Sequence, residues 1–392
     1  MLSQSRKKIK VLYPVLHYPP VIGGLEQWEQ NIAERQGDNA EVIVVTGRVV
    51  SKANFEKTNN VLIFRTSFLE LRNLSYSSHF YILSAMPFVL CRSLILLFTH
   101  KINLLHCHGF TSAVMGCILS LITNRPFMGT EQSIGWAHGS LKWLRGLVYK
   151  KAKLCIASSE AVRDEFRALG VDAKKIEIIP NGVDWDEFMN SQRKTSPGVF
   201  RILCVGRLEK VKGQAYLIEA FRKIQDKISQ SRFPELRLLL TLVGDGSEKA
   251  NLKKKVLELG LNESVEFVGE VRHDNLPEYF AKADVAAIPS LSEGFGIVAL
   301  EAIASGVPIV ASRVGGLTDI QKDFRTGFLV EPGDAEALAS AIMSCINNPE
   351  FRYALGAEGK DLVRVNMTSN KYSKYSWDLI ARRVGQLYAE EI

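Results

Sequence analysis

Short apolar runs alternate with amphipathic stretches along the whole chain. Ile9–Tyr13 (IKVLY), Glu41–Thr46 (EVIVVT), Asn103–His106 (NLLH) and Lys153–Ala157 (KLCIA) read as strands. Leu25–Gln36 reads as a helix, after the loop Pro14–Gly24. These strands are rich in Val, Ile and Leu without clean alternation, which suits strands covered on both faces. A second series follows at Phe200–Val205, Arg237–Val243, Val265–Val268, Val285–Pro289 and Val307–Ala311. Strands alternating with helices predict a doubly wound parallel sheet in each half.

Between the two series, Asn190–Gly198 (NSQRKTSPG) is polar and carries Ser, Pro and Gly, as a linker does. The expected organisation is an N-terminal domain over 1–190, a second domain over 191–374 and a final helix over 375–392. A chain of 392 residues accommodates two such domains without disulfides or metals. The six cysteines, Cys91, Cys107, Cys117, Cys155, Cys204 and Cys345, show no CxxC spacing and are expected to be reduced and mostly buried. The first residues lack the apolar stretch of a signal peptide, so a cytoplasmic protein is expected.

Charge is unevenly placed. Residues 1–195 hold 24 basic and 16 acidic residues, a net of +8, whereas the remainder holds 25 and 26, a net of −1. The first half therefore invites an anionic partner. Arg6, Lys7, Lys8 and Lys10 cluster at the start. Lys142, Arg145, Lys150, Lys151 and Lys153 are interleaved with Leu141, Trp143, Leu144, Leu147, Val148 and Tyr149. A basic apolar helix can lie on anionic lipid, and an amphipathic helix packed on its own domain fits equally well. The chain lacks a recognisable nucleic-acid-binding module. Phe80–Phe98 is mostly apolar but contains Ser84, Pro87, Arg92 and Ser93. A span needs about 20 predominantly apolar residues, so a buried or interfacial helix is expected here.

The most informative stretch is Ser290–Ser312, SLSEGFGIVALEAIASGVPIVAS. A strand ends near Pro289, a glycine-containing loop follows, and a helix runs from about Ile297 to Ser305, closed by Gly306. Glycines entering a helix N-terminus expose backbone N–H groups to an anion, and the helix dipole adds to that attraction. Glu293 lies in the loop and Glu301 lies in the helix. Carboxylates accept hydroxyl hydrogen bonds well, so the pair suits sugar and ribose. By residue type alone, a solvated loop Glu and a helix-surface Glu fit at least as well.

This stretch resembles the signature of glycosyltransferase family 4, retaining enzymes of the GT-B fold. Similar segments recur in order: VGRLEKVKG at 205–213, VGDG at 243–246, FVG at 267–269, IPNGVD at 179–184, VGGLTD at 314–319 and GFLVEPG at 327–333. The first half matches at GGLE (23–26), HCHG (106–109) and ASSE (157–160). The resemblance implies two Rossmann-like domains facing a cleft, with the second binding a nucleotide-sugar. It assigns Arg207 and Lys212 to neutralising the diphosphate, where negative charge develops as the glycosidic bond breaks. Gly294, Phe295 and Gly296 would offer backbone N–H groups, Glu293 would hold the donor sugar and Glu301 the ribose. Gly269–Arg272 would lie near the base, and Gly244 belongs to the donor-side turn.

In the first domain the resemblance points to His108, more than to His106, as a contact of the donor sugar. Gly23 and Gly24 would let backbone approach the phosphates and acceptor. Glu131 lies near a cleft position that relatives often fill with His, a departure that leaves its role open. The implied activity is transfer of a hexose from a UDP- or GDP-sugar to a saccharide or lipid-linked acceptor in cell-surface glycan or glycolipid synthesis. No DxD element stands out, so the donor site is expected to need no metal and no other cofactor. A GT-B sugar-nucleotide epimerase and a non-catalytic nucleotide-sugar-binding partner remain alternatives. A phosphorylase is disfavoured, because no lysine shows a pyridoxal-phosphate motif.

Overall fold

The computed structural model describes residues 8–20, 23–37, 39–48, 52–58, 60–66, 79–134, 141–190, 193–194, 196–230, 234–368 and 373–391. Arg6 and Lys7 of the N-terminal basic cluster, Val21 and Ile22 of the first loop, Ser191, Gln192 and Thr195 of the polar stretch, and Ile392 lie outside the described residues. The chain forms two compact units, one of Met1–Gly182 with Lys374–Ile392 and the other of Val183–Ser373.

Unit 1 contains, in order, β1 (Ile9–Pro14), α1 (Gly24–Glu34), β2 (Ala40–Gly47), β3 (Phe55–Thr58), β4 (Val61–Thr66), α2 (His79–Thr99), β5 (Leu104–His108), α3 (Gly109–Thr123), β6 (Phe127–Glu131), α4 (Lys142–Lys151), β7 (Leu154–Ala157), α5 (Glu160–Ala168) and β8 (Ile176–Ile178). The sheet order is β3-β4-β2-β1-β5-β6-β7-β8. All pairings are parallel except β3–β4. The edge strand β3 (FEKT) is largely exposed and carries Glu56 and Lys57, charges that discourage pairing with another chain. Its alternation is too short to register as a core strand in the sequence.

Unit 2 opens with α6 (Trp185–Met189), whose Trp185 and Phe188 are buried and which packs on α10, defined below. That burial explains why the unit begins ahead of the polar stretch at 190–198. There follow β9 (Val199–Val205), α7 (Gln214–Ser229), β10 (Arg237–Val243), α8 (Lys249–Glu258), β11 (Val265–Gly269), α9 (Leu276–Lys282), β12 (Val285–Ile288), α10 (Ile297–Ala304), β13 (Ile309–Ser312), α11 (Gly315–Phe324), β14 (Gly327–Val330), α12 (Ala335–Asn347) and α13 (Pro349–Thr368). Its six strands are all parallel, in the order β11-β10-β9-β12-β13-β14. Burial of Ile202, Leu240, Val285 and Val310 against Leu217, Phe221, Leu338 and Ile342 builds its core. Each fully buried aliphatic side chain contributes roughly 1.5–3 kcal/mol.

The last helix, α14 (Trp377–Glu390), belongs to unit 1 and packs on α1. Its buried stripe of Trp377, Ile380, Val384 and Tyr388 has helical period, and Arg383 donates to both Glu177 carboxylate oxygens at 2.6 and 2.9 Å. The apolar segment at 80–98 forms most of α2, which turns Ala85, Val89, Leu96 and Leu97 into the core of unit 1. Among the described residues, no helix is long and apolar enough to cross a membrane. All six cysteines are free. Five are buried, but Cys91 on α2 is exposed.

Strand order reverses between β1 and β5 in unit 1 and between β9 and β12 in unit 2. Loops leaving adjacent strands diverge at such a point, which opens a crevice at the carboxyl ends of an open α/β sheet.

Candidate active site

The residues following β9 and β12 converge at the unit 2 switch point. After Val205 the chain turns outward. Leu208 is buried, and its N–H donates to the Asp245 carbonyl at 2.8 Å. Arg207 is exposed, while its carbonyl accepts from Gln214 Nε2 at 2.9 Å. A single 3₁₀ turn, Lys210–Lys212, leads to Gly213 at φ 69°, and a Cβ there would lie 2.0 Å from the Pro289 carbonyl oxygen. Only glycine permits this approach. The Leu291 N–H then donates to the Val211 carbonyl at 2.8 Å, stitching the two loops together.

This stitching places Lys212 Nζ 2.7 Å from Glu293 Oε2, a pair that is mostly but not fully buried. Ser290 Oγ donates to the same oxygen at 3.0 Å. The ammonium and hydroxyl fix the rotamer of a carboxylate whose other oxygen, Oε1, accepts neither of these bonds. Gly294, Phe295 and Gly296 are buried. Gly296 is the N-cap of α10 at φ 94°, and a Cβ there would meet Leu317 at 2.5 Å. The first-turn N–H groups of Ile297 and Val298 meet no backbone acceptor among the described residues. They form a ready site for an anion. At the far end of α10, Gly306 N–H donates to the Ile303 carbonyl and Val307 N–H to the Ala302 carbonyl, a paired C-terminal closure.

Glu301 sits one turn into α10 and is buried. Its Oε1 lies 2.9 Å from His273 Nε2, and its Oε2 has no partner among the described residues. Burial alone would lower the His273 pKa. The bond to Glu301 and the charges of Glu301, Glu187 and Asp184 outweigh that and raise it. Gly244 directly follows β10, and its N–H donates to the Gly269 carbonyl at 2.8 Å. Arg272 is exposed and engages Asp274 at 2.7 Å.

In unit 1, Gly23 caps α1 and Gly24 opens it, directly after the loop from β1. His108 ends β5 and caps α3. Its ring is buried between Tyr13 and Trp28, at centroid distances of 4.6 and 5.3 Å, and neither nitrogen has a partner among the described residues. Burial first, then His106, holds its pKa well below the ordinary range, so the ring is neutral. His106 is committed elsewhere. Its Nδ1 lies 2.8 Å from Tyr388 Oη and its Nε2 2.7 Å from Thr130 Oγ1, while Tyr388 Oη lies 2.6 Å from Tyr13 Oη. The sequence placed the two histidines two residues apart, and the fold gives only His108 unpartnered ring atoms.

Glu131 is occupied internally. One oxygen accepts from Arg145 at 2.5 Å and Tyr149 at 2.8 Å, and the other accepts from Ser133 at 2.9 Å. This ties β6 to α4. Arg145, Val148 and Tyr149 therefore face inward and are removed from the basic apolar surface that the sequence suggested. Lys153 Nζ lies 3.8 Å from Glu391, and Lys10 lies 3.3 Å from Glu41.

Sequence reasoning missed Ser290, His273 and Gly316. A Cβ on Gly316 would lie 2.5 Å from Phe295 Cα, so α11 abuts the glycine loop. Gly316 stood inside a recognised segment, but without a role. Ser290 directly follows a predicted strand. Nothing in the chain pairs His273 with a carboxylate 28 residues away.

A family model described as Glycosyltransferase Family 4 matches residues 22–187, and one described as Glycosyl transferases group 1 matches residues 186–362. An uncharacterized glycosyltransferase of Methanocaldococcus jannaschii is 30% identical over 408 residues, covering 97% of this chain and 98% of that protein. Among solved structures, sucrose-phosphate synthase of Thermosynechococcus elongatus superposes with a TM-score of 0.78 at 23% identity, covering 98% and 99% of the two chains. HepE of Anabaena in complex with UDP-glucose superposes with a TM-score of 0.73 at 23% identity, covering 97% and 100%.

Proposed function

Because the chain belongs to glycosyltransferase family 4, with the GT-B fold, we propose that it moves a hexosyl group from a UDP- or GDP-sugar to a saccharide or lipid-linked acceptor, with retention and without a metal. The observation that carries this reading is the Lys212–Glu293 contact beside the N-terminus of α10. It gathers a cation, a carboxylate and open N–H groups where a nucleoside diphosphate and a sugar can lie side by side. HepE, solved in complex with UDP-glucose, supports a UDP-hexose as the first donor to try.

In this reading Arg207, Lys212 and the α10 N–H groups offset the negative charge that grows on the diphosphate. Glu293 accepts hydrogen bonds from the donor sugar, and Glu301 uses its unpartnered Oε2 for the ribose. His108, neutral and unpaired, is assigned to a sugar hydroxyl. Gly23 and Gly24 are assigned to the acceptor side. The bond from the anomeric carbon to the diphosphate oxygen breaks as the acceptor oxygen attacks the same face. The acceptor's proton passes to the departing phosphate oxygen. A cytoplasmic setting, proposed with a role in surface glycan or glycolipid synthesis, fits six unpaired thiols, five of them buried.

A panel of UDP- and GDP-hexoses, scored by thermal stabilisation and then by turnover with and without acceptors, tests this. Stabilisation by one donor and an acceptor-dependent product of unchanged anomeric configuration, retained in excess EDTA, are expected. Sugar released or epimerised without an acceptor, an inverted product, or activity lost to EDTA and restored by Mg²⁺ would each overturn the corresponding part.

A further inference from the structure

We propose that the outer face of the α2–α3–α4 layer is a docking surface for anionic phospholipid. The inference rests on unit 1 alone and takes nothing from the transfer reading.

The three helices pack side by side, α2 on α3 and α3 on α4, and share one core beneath them. Their inner faces are satisfied by that core, through Leu96 and Leu97, Met115 and Leu119, and Val148 and Tyr149. An amphipathic helix normally turns polar residues outward. These three instead present Ile95 and Phe98 on α2, Leu121 and Ile122 on α3, and Trp143 and Leu147 on α4. Phe98 is 71% exposed, Leu121 67% and Trp143 65%. The spacings of three and four residues on α2 and α4 place each pair on a single flank.

Charge selects the occupant. From Leu71 to Ser159 the sequence contains one acidic residue, Glu131, and the fold buries it against Arg145. The three helices therefore expose no carboxylate. The basic residues lie mostly at one end of the layer: Lys101 follows α2, Arg125 follows α3, and Lys150 and Lys151 close α4. Among the described residues, none of these four forms an ion pair. Cations favour helix C-termini in any protein, but that preference does not bring in exposed Phe, Leu and Trp. Apolar side chains at acyl depth, bordered by Lys and Arg at phosphate depth, are what a peripheral protein presents to an anionic bilayer.

The full chain should cosediment with vesicles of phosphatidylcholine mixed with phosphatidylglycerol, and at least about tenfold more weakly with phosphatidylcholine alone. Phe98→Ser with Leu121→Ser and Trp143→Ser, all at exposed positions, should weaken binding by at least about tenfold while leaving thermal unfolding unchanged. Lys150→Glu with Lys151→Glu should weaken it comparably and flatten its salt dependence. Equal binding to both vesicle types, no binding to either, or binding unaffected by these variants would overturn the proposal. Concentration-dependent self-association without vesicle binding, abolished by the triple variant, would overturn it in favour of a second copy of the chain.

Discussion

Lys212 Nζ and Glu293 Oε2 are 2.7 Å apart although 81 residues separate them, and the contact joins the loops that follow β9 and β12. Lys212→Ala and Glu293→Ala should each lower turnover by at least about tenfold, equivalent to about 1.4 kcal/mol of transition-state stabilisation. Because the two groups touch, the double variant should fall short of the product of the single losses. A double-mutant cycle on kcat/KM checks both statements. Fully multiplicative losses would show the contact to be incidental.

His273 holds Glu301 at 2.9 Å, so in the proposed function it would position the carboxylate assigned to the ribose. His273→Ala should raise donor KM by roughly threefold to tenfold with a smaller change in kcat, since binding rather than reaction is disturbed. The folded pKa of His273 is raised, so its contribution to stability is present below its unfolded value of 6.5 and is lost as pH rises through the folded value. Donor affinity should weaken over the same rise in pH. His273→Gln should remove that dependence, as isothermal titration across the range would read.

Gly213 and Gly260 share a left-handed backbone, at φ 69° and 68°, but only Gly213 has a carbonyl, that of Pro289, where a Cβ would go. Gly260→Ala should cost about 1–2 kcal/mol from conformation alone. Gly213→Ala should cost at least about twice that and should separate Lys212 from Glu293. Chemical denaturation of both variants measures the difference. Equal costs would mean that the loop yields without strain.

Burial pulls His106 down to about 3, against 6.5 when unfolded, and His108 shifts in the same direction. The His106 contribution to stability is present above pH 6.5 and is lost as pH falls through 6.5 toward 3, at about 1.4 kcal/mol per pH unit, and His108 acts in the same direction. Glu29 works the other way. Its folded pKa is raised by burial and then by Glu26, so its contribution is lost as pH rises from the unfolded value of 4.5. Unfolding midpoints from pH 7 to 5 should fall in the natural chain and fall less steeply in His106→Asn. Identical slopes would assign the acid sensitivity to other groups.

The strand and helix succession, the glycine loop into α10 and the Arg207–Lys212 segment were all legible in the sequence. Each depends on hydrophobic period or turn chemistry within a dozen residues, and such signals survive in one dimension. Tertiary structure decided which of those residues meet. It gave Glu131 to Arg145 and Tyr149, His106 to Tyr388 and Thr130, and Glu301 to His273. It also decided which flank of α4 faces out. The sequence showed a helix both basic and apolar, and the buried pairing of Arg145 with Glu131 turned that side inward and left Trp143 and Leu147 to solvent. A charge's partner and a helix's rotation are set by contacts across the sheet, which no local pattern encodes.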